Sequence, residues 1–421
     1  MDTETQTTPE VLIVGAGLAG LCCARRLHES GIPFHILEAS EAIGGRVRTD
    51  MVEGFLLDHG FQVLLTAYPE AQRVLDYAAL ELHPFYPGAL VWYQGAFHRV
   101  ADPRRCPKKA ISTVFSPIGT LKDKLGIARL RRRVQTGSVD DIFRKPETST
   151  LHALQEAGFS ANIIDRFFRP FFGGIFLERN LRTSSRMFEF IFRMLALGDI
   201  ALPAGGMGAI PEQLAAALPH GAIRKKVRVT AVQGNSVTLA SGERLSAKAV
   251  VVATEGPEAA RLLYGLPAPG SRSVTCLYFA ADTPPISEPI LLLNSEETGP
   301  VNNLCVPSAV APSYAPPGAA LISATVLGNP YHDDPTLESV VRAQMCKWFG
   351  SAVTHWRYLR TYRLFHAQPE QSPPTLAVPE RPVQLQPGLF VCGDHRDTAS
   401  IQGAMVSGRR AAEAVLAELG A

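Results

Sequence analysis

Short apolar runs alternate with glycine-rich turns at the start of the 421-residue chain. Val11–Val14 and Phe34–Leu37 are rich in branched and aromatic side chains, and residues 18–28 between them have apolar positions at helical spacing. Apolar runs of this length are typical of strands buried on both faces of a parallel sheet. The pattern therefore predicts a β-strand, an α-helix and a second, parallel β-strand.

Three glycines follow the first predicted strand with the spacing GxGxxG: Gly15, Gly17 and Gly20. The first allows a tight turn, the second lets the backbone approach a pyrophosphate, and the third lets the helix pack closely on the strand. Glu38 ends the second strand, 18 residues after Gly20, where a carboxylate can accept hydrogen bonds from a ribose. We predict a dinucleotide site that contains these residues together with Leu18, Ala19 and Ala39.

Further motifs lie beyond this unit. Gly44-Gly45-Arg46 brings flexible backbone and a guanidinium, which can bridge phosphate oxygens, just past the second strand. Asp58-His59-Gly60-Phe61-Gln62 follows a short hairpin, and a late strand ends in Gly393-Asp394 before a helix that begins near Ile401 and runs to about Leu419. Together these motifs resemble the flavin-containing amine oxidase superfamily, closest to its protoporphyrinogen oxidase and phytoene-type carotenoid desaturase branch.

The resemblance implies FAD as the cofactor and a role for each motif. Gly45 and Arg46 would meet the pyrophosphate, the segment with Gly60, Phe61 and Gln62 would lie under the flavin, and the backbone of Val229 would contact the adenine. Gly393 and Asp394 would hold ribitol or phosphate oxygens. The helix start at Ile401, Gln402 and Ala404 would face the flavin N1–C2=O edge, where reduction places negative charge. No covalent-linkage motif surrounds Gly393, so we expect non-covalent FAD, and the seven scattered cysteines predict no metal site.

The resemblance spans nearly the whole chain and implies an α/β fold of two domains. A discontinuous, Rossmann-type FAD-binding domain is expected from residues 1–65, 200–262 and 382–421. An inserted mixed α+β substrate domain is expected from residues 66–199, which look mostly helical, and 263–381, which look strand-rich.

Phenylalanine is concentrated in one part of the predicted substrate domain. Eight of the chain's 20 Phe lie within residues 167–192, and Phe188, Phe192 and Leu195 share one predicted helix face. Such a cluster is typical of an ordinary core, and it also suits the lining of a long apolar binding tunnel. The sequence leaves both interpretations open.

Charge is unevenly distributed along the chain. Residues 99–145 contain 13 Lys or Arg and four Asp, a local net charge of +9, whereas the whole chain has a formal net charge of +2. The segment is either a solvated basic face or a peripheral contact with an anionic membrane. The small overall charge gives no support for nucleic-acid binding. No signal peptide or apolar run of about 18 residues is visible, so a cytoplasmic location is expected.

Three functions remain open from the sequence. The first is FAD-dependent hydride transfer from a lipophilic isoprenoid, carotenoid or tetrapyrrole to flavin N5, with Phe61, Gln62, Tyr362 and His366 as candidates facing the flavin. The second is an amine or amino-acid oxidase that releases peroxide, although the one lysine in residues 263–381, Lys347, lies in a predicted helix and is expected on its solvated face. The third is a non-redox, flavin-dependent isomerase or lipid-binding protein, because a fold does not fix a function.

Overall fold

The structure is a computed structural model that describes residues 9–102, 105 and 116–421. A six-stranded sheet forms the centre of one half of the molecule, and all its neighbouring strands are parallel except the last pair. The central strands Val11–Val14 and Ala249–Val252 are buried at every residue, since helices cover one face of the sheet, and a small antiparallel meander with the helix Gly256–Leu262 covers the other. In sheet order the strands are Ile223–Arg224, Phe34–Leu37, Val11–Val14, Ala249–Val252, Leu389–Val391 and Gln384–Gln386.

Two helices pack against each other beside this sheet with very little space between their backbones. A Cβ atom at Gly408, in the helix Ile401–Leu419, would lie 2.1 Å from the carbonyl oxygen of Ala19, in the helix Leu18–Glu29. Glycine is therefore required for this approach. The remaining helices and the antiparallel meander of this half are Ala209–Ala216, Gly256–Leu262, Val229–Gln233, Ser236–Leu239 and Arg244–Ser246.

A seven-stranded sheet is the centre of the other half. Alternate side chains of its long strand Ser271–Ala281 face opposite sides: Leu277 and Phe279 join the core under the helix Asp334–Phe349, while Cys276 and Tyr278 face the rest of the molecule. In sheet order the strands are Arg357–Pro369, Ser271–Ala281, Ala320–Leu327, Val301–Cys305, Leu291–Asn294, Gly88–Tyr93 and Ala96–Ala101.

Helices cover the remaining side of this half. The aromatic cluster lies in a π-helical turn, Ile164–Phe168, and in the helices Arg169–Phe176 and Ser185–Leu197. The other helices are Pro69–Val74, Leu121–Gln135, Val139–Arg144, Thr150–Glu156, Ala161–Ile163 and Pro307–Val310, with 3₁₀ turns at Pro312–Tyr314, Gly350–His355 and Asp394–Arg396.

Two smaller sheets connect the halves. Thr49–Val52 pairs with Phe55–Asp58 as a hairpin, and Ile200–Pro203 pairs with both Leu64–Leu65 and Leu82–Pro84. No helix in the described residues is long and apolar enough to span a membrane.

The structure confirms the expected α/β class with a mixed second half. Both large sheets take their strands from the segments assigned to the two domains, although the exact domain boundaries stay a prediction. The expectation that residues 66–199 are mostly helical is incomplete, because Leu82–Pro84, Gly88–Tyr93 and Ala96–Ala101 are strands. The sequence feature that indicates the last two strands is Gln94-Gly95. These two residues have positive φ and close a tight hairpin between Gly88–Tyr93 and Ala96–Ala101.

Candidate active site

A cavity of about 550 Å³ lies between the two halves. The lining residues within 15–65, 200, 253–255 and 393–404 are called the nucleotide wall. The lining residues within 68–195 and 274–368 are called the substrate wall. The predicted cofactor residues on the nucleotide wall are Gly15, Gly17, Leu18, Ala19, Glu38, Gly45, Arg46, Gly60, Phe61, Gln62, Gly393, Asp394, Ile401 and Ala404.

The glycine loop leaves space on one side and none on the other. A Cβ atom at Gly17 would meet nothing within 4 Å, so its cavity side is open to a ligand. A Cβ atom at Gly15 would lie 2.9 Å from the Ala253 carbonyl oxygen, and one at Gly20 would lie 2.1 Å from the Gly15 carbonyl oxygen. Gly20 does not line the cavity, because its place is the contact between helix and strand.

Glu38 is fixed at the end of its strand by backbone donors. Its Oε2 accepts a hydrogen bond from the Ala16 N–H and its Oε1 accepts one from the Ser40 N–H, both at 2.8 Å. A carboxylate has about four acceptor positions, so each oxygen can accept a further bond from a ribose hydroxyl. Ala39, the next residue, is exposed and lies off the cavity lining.

Arg46 and Asp394 bring two distant motifs together. Arg46 Nη2 lies 2.8 Å from Asp394 Oδ1, and Arg46 Nη1 donates to the Ala367 carbonyl oxygen at 3.0 Å. Burial alone lowers the pKa of Arg46, but the attraction of Asp394 outweighs it and the net pKa is raised. The guanidinium stays charged at the cavity edge, as a phosphate contact requires.

The last helix points its N-terminus at the cavity. Ser400 Oγ accepts from the Gly403 N–H at 3.0 Å, and the Ala404 N–H donates to the Ser400 carbonyl oxygen. The N–H groups of Ile401 and Gln402 have no acceptor within the described ranges. The Gln402 side chain itself accepts from the Glu70 N–H at 2.9 Å, away from the cavity lining.

Gln62 is oriented by the loop that contains it. Its Nε2 donates to the carbonyl oxygens of Arg46 and His59, at 2.7 and 2.8 Å, so Oε1 is left as an acceptor on the cavity side. Phe61 also lines the cavity and meets Phe85 edge to face, with the ring centroids 6.2 Å apart. Both candidates line the cavity, and their contact with a flavin stays a prediction.

The predicted position of Tyr362 and His366 in front of the flavin is corrected by the structure, because neither residue lines the cavity. The Tyr362 hydroxyl donates to Asp50 at 2.7 Å. His366 is exposed, because three residues of its strand oppose one residue of the partner strand between Leu364 and Gln368. This bulge breaks the alternation of side chains, and Leu364, Ala367 and Gln368 line the cavity instead.

Val229 also lies off the cavity lining. It begins the meander and is buried in the core that contains Leu12 and Val250. The expected backbone contact with adenine stays a prediction.

Asp58, a residue of the predicted flavin segment, connects the two halves. Its carboxylate accepts from Thr49 Oγ1 at 2.5 Å, from the Met207 N–H at 2.9 Å and from the Tyr314 hydroxyl at 2.8 Å. The Tyr278 hydroxyl donates to its carbonyl oxygen at 2.9 Å. Burial raises the pKa of Asp58 to about 6, against the lowering effect of these hydrogen bonds.

The substrate wall is mainly apolar. The helix Ser185–Leu197 presents Met187, Ile191 and Leu195 to the cavity, a face adjacent to the one expected from Phe188, Phe192 and Leu195. Of the eight clustered Phe, only Phe171 lines the cavity, and Phe168, Phe172, Phe176, Phe188 and Phe190 are buried in the core. The cluster is therefore mostly core that supports the wall. No lysine lines the cavity among the described residues, and Lys347 is exposed.

Sequence reasoning missed the polar residue Asn303 on this wall. It lies in the strand Val301–Cys305, which is buried at every residue. Two consecutive asparagines inside a buried apolar strand are the signal that could have found it, because buried amides need hydrogen-bond partners.

These features fit a dinucleotide cofactor: open space at Gly17, a fixed carboxylate, a charged guanidinium and a helix start with free N–H groups. With an apolar wall opposite, the fold and the site define a two-domain flavoenzyme of the oxidoreductase class. The chain belongs to the flavin containing amine oxidoreductase family, whose model matches residues 18–416.

Similar proteins agree with this class. Hydroxysqualene dehydroxylase from Rhodopseudomonas palustris is 27% identical over 97% of this chain and 98% of its own length. Protoporphyrinogen oxidase 2 from Arabidopsis thaliana is 25% identical over 41% of this chain, and the match spans only 33% of that protein. Reduced UDP-galactopyranose mutase shares the fold, with a TM-score of 0.72 at 18% identity, over 97% of this chain and 96% of its own.

Proposed function

We propose that the cavity binds FAD non-covalently and that the protein transfers a hydride from a lipophilic substrate, an isoprenoid, carotenoid or tetrapyrrole, to flavin N5. One observation carries the proposal: the nucleotide wall faces a wall of apolar side chains that includes Phe171, Ile191 and Leu293. Apolar walls of this kind suit a substrate whose body has few polar groups.

The chemistry of two-electron oxidation would come from the bound flavin. The residues of this chain would bind, orient and exclude water. The free N–H groups at Ile401 and Gln402 would stabilise negative charge at the helix start. The apolar substrate wall has no lysine in its described part, so the proton released with the hydride would leave to solvent or to a group on the nucleotide wall.

Two relatives add support within the limits of their similarity. One is named as a dehydroxylase of hydroxysqualene and the other as an oxidase of protoporphyrinogen, both lipophilic molecules. The missing lysine counts against the alternative of an amine or amino-acid oxidase. The third alternative, a flavin-dependent isomerase or lipid-binding protein, is distinguished from the two redox functions by the following experiment.

The decisive experiment adds candidate substrates to the purified holoprotein without oxygen. Bleaching of the flavin by phytoene or protoporphyrinogen, but not by putrescine or L-leucine, supports the proposal. Bleaching by the amines alone would replace it with the amine oxidase. An unchanged spectrum with a bound lipophilic compound would replace it with the non-redox binder. Acid precipitation should leave the flavin in the supernatant, and flavin in the pellet would contradict non-covalent binding.

We also propose that the helix Leu121–Gln135 contacts an anionic membrane. Leu121 and Leu125 are 63% and 54% exposed, one turn apart. Lys122, Arg129 and Arg132 are exposed beside them and have no ion-pair partner in the described part of the chain. Apolar side chains next to free cations suit the surface of an anionic bilayer.

Only part of the basic segment is available for this contact. Arg131 pairs with Asp102, and Arg105 pairs with Asp199. Arg133 and Lys145 both pair with Glu189, at 2.9 and 2.5 Å. Arg99 pairs with Glu288, Arg144 pairs with Asp141, and Lys124 donates to the Ser116 carbonyl oxygen. Arg104, Lys108 and Lys109 lie outside the described residues.

Charge reversal tests the membrane contact. The triple variant Lys122→Glu, Arg129→Glu, Arg132→Glu should lose sedimentation with anionic liposomes at low salt and keep its flavin content. The matched control Lys225→Glu, Arg228→Glu, Arg244→Glu changes the net charge equally on the other half of the molecule. The contact is wrong if the parent ignores anionic liposomes at low salt, or if both triple variants lose binding equally.

A further inference from the structure

A β-bulge places Asn302 beside Asn303, which lies on the substrate wall. In the pairing of Val301–Cys305 with Ala320–Leu327, Val301 lies opposite Val326 and Asn303 opposite Thr325, so one extra residue is inserted at Asn302. An extra residue interrupts the alternation of side chains and can redirect one of them. As a result, Asn302 Nδ2 donates to Asn303 Oδ1 at 3.0 Å.

The pair is held in one orientation. Asn302 Nδ2 also donates to the Pro170 carbonyl oxygen at 3.0 Å, and the two residues are only 2% and 3% exposed. A Cβ atom at Gly174 would lie 3.0 Å from Asn303 Oδ1, so the glycine lets the helix pack tightly on the pair. Because Asn303 Oδ1 accepts the hydrogen bond from Asn302, the Asn303 side chain keeps Nδ2 as its donor, and Asn303 lines the cavity. In the described part of the chain this donor has no acceptor.

The other polar side chains of the substrate wall already have partners. The Gln368 amide donates to the Ala399 carbonyl oxygen at 2.7 Å, the Tyr68 hydroxyl bonds Ser400, and the Tyr86 ring lies 5.1 Å under the Arg99 guanidinium. Asn303 is therefore a fixed donor in apolar surroundings such as Phe171. An amide N–H that opens onto an apolar cavity would gain free energy from a hydrogen bond to a suitably placed ligand oxygen.

We propose that Asn303 Nδ2 donates a hydrogen bond to a single acceptor oxygen on the substrate, so that the substrate class is an oxygenated, otherwise apolar molecule rather than a pure hydrocarbon. This inference rests on the proposed lipophilic substrate. Asn303 acts as a specificity-determining residue, and Asn302 positions it.

Binding of three matched C15 isoprenoids to the oxidised holoprotein tests the inference. The probes are farnesol, its methyl ether and the hydrocarbon farnesene, and the readout is the dissociation constant from the change in flavin absorbance. The parent should bind both oxygenated probes about tenfold more tightly than farnesene. Asn303→Leu should remove that preference, whereas the control Asn329→Leu, which deletes a partly buried amide off the cavity lining, should keep it.

A second variant replaces the donor by an acceptor with little change in shape. Asn303→Asp at pH 8 can still accept from Asn302 and from the farnesol hydroxyl, but it cannot donate to the ether. It should lose the preference for the methyl ether and keep that for farnesol. Flavin content and the thermal midpoint establish that each variant is folded, and Asn303→Asp decides the matter if Asn303→Leu does not fold.

Three outcomes distinguish the levels of the proposal. Loss of the preference in the Asn303 variants supports the hydrogen bond. Tight binding of all three probes by the parent without preference, or a preference that survives in Asn303→Leu, overturns the inference and leaves the lipophilic substrate standing. If none of the probes changes the flavin spectrum or is retained by the parent, the lipophilic substrate fails together with the inference.

Discussion

The two walls of the cavity are built in different ways. The nucleotide wall is formed mainly by short motifs whose backbone geometry shapes the cavity. These motifs are the loop Gly15 to Gly20, the Gly44-Gly45-Arg46 turn and the Gly393-Asp394 pair. The substrate wall collects single side chains from residues 68–368, most of them apolar. Backbone contacts therefore fix where the cofactor lies, whereas packing between distant elements decides what lies opposite it.

Two glycines of the loop Gly15 to Gly20 give the largest expected effect. Gly20→Ala places a Cβ atom 2.1 Å from the Gly15 carbonyl oxygen, so the helix must move off the strand. We expect it to lower the free energy of unfolding by about 3 kcal/mol, since backbone can yield little. Gly17→Ala points its Cβ atom into open space and should leave the apoprotein as stable as the parent while weakening FAD binding. Thermal unfolding of the apoproteins and FAD titration measure the two effects.

Comparing Gly17→Ala with Gly20→Ala tests whether the open side of the glycine loop is the side that binds the cofactor. Equal stability losses in the two apoproteins would mean that the free side of Gly17 is not the ligand side. Unchanged FAD affinity in Gly17→Ala would remove the pyrophosphate from this loop.

Asp58, where the two halves meet, should make stability depend on pH. Its folded-state pKa of about 6 lies above the ordinary 3.8, so between these values the folded protein retains a proton that the unfolded chain has released. The free energy of unfolding then falls as pH rises through this window, by up to about 3 kcal/mol, and the loss persists above pH 6. Asp58→Asn removes the proton exchange and can keep the acceptor role toward Thr49 and Met207.

Denaturant unfolding of parent and Asp58→Asn at pH 4.5 to 7 measures this contribution. The stability of the variant relative to the parent should increase from pH 4.5 and level off above about pH 6. Burial also raises the pKa of Asp397 to about 6, but that slope is shared by both proteins and cancels in their difference. A constant difference across this range would contradict the raised pKa of Asp58.

Arg46 and Asp394 should separate binding from stability. Arg46→Ala removes a charge-assisted phosphate contact, which we expect to weaken FAD binding by roughly 2 kcal/mol, about thirtyfold. It also leaves the buried Asp394 carboxylate without its guanidinium, so stability should fall. Adding Asp394→Asn should restore the stability and not the affinity.

Apoprotein reconstitution and thermal unfolding of the single and double variants provide the two measurements. If the double variant recovers FAD binding, Arg46 acts only by neutralising Asp394 and does not reach the phosphates.

The contrast between the walls also explains what the sequence could predict. The strands Val11–Val14 and Phe34–Leu37 and the order of glycines and Glu38 follow from local rules, because turn geometry and phosphate binding restrict consecutive residues. The prediction for His366 rests on its position in the chain, whereas a bulge that depends on the partner strand turns it away from the cavity. Tyr362 lies before that bulge, opposite Cys276, and its hydroxyl donates to Asp50. The two consecutive asparagines are visible in the sequence, but the bulge beside Asn303 is a property of a strand pair.

The smallest expected effect distinguishes lining from core inside the aromatic cluster, where neighbouring residues have different roles. Phe171 lines the cavity and stacks on Phe167 with the ring centroids 5.4 Å apart, whereas Phe172 is fully buried. Phe172→Leu should lower the free energy of unfolding by about 1 kcal/mol through lost packing and leave farnesol binding unchanged. Phe171→Leu makes the same change in volume at the cavity surface, so it should weaken farnesol binding a few-fold with a smaller change in the thermal midpoint. If both variants affect only stability, the apolar surface at Phe171 is core rather than binding wall, and the lipophilic substrate loses its support from this helix.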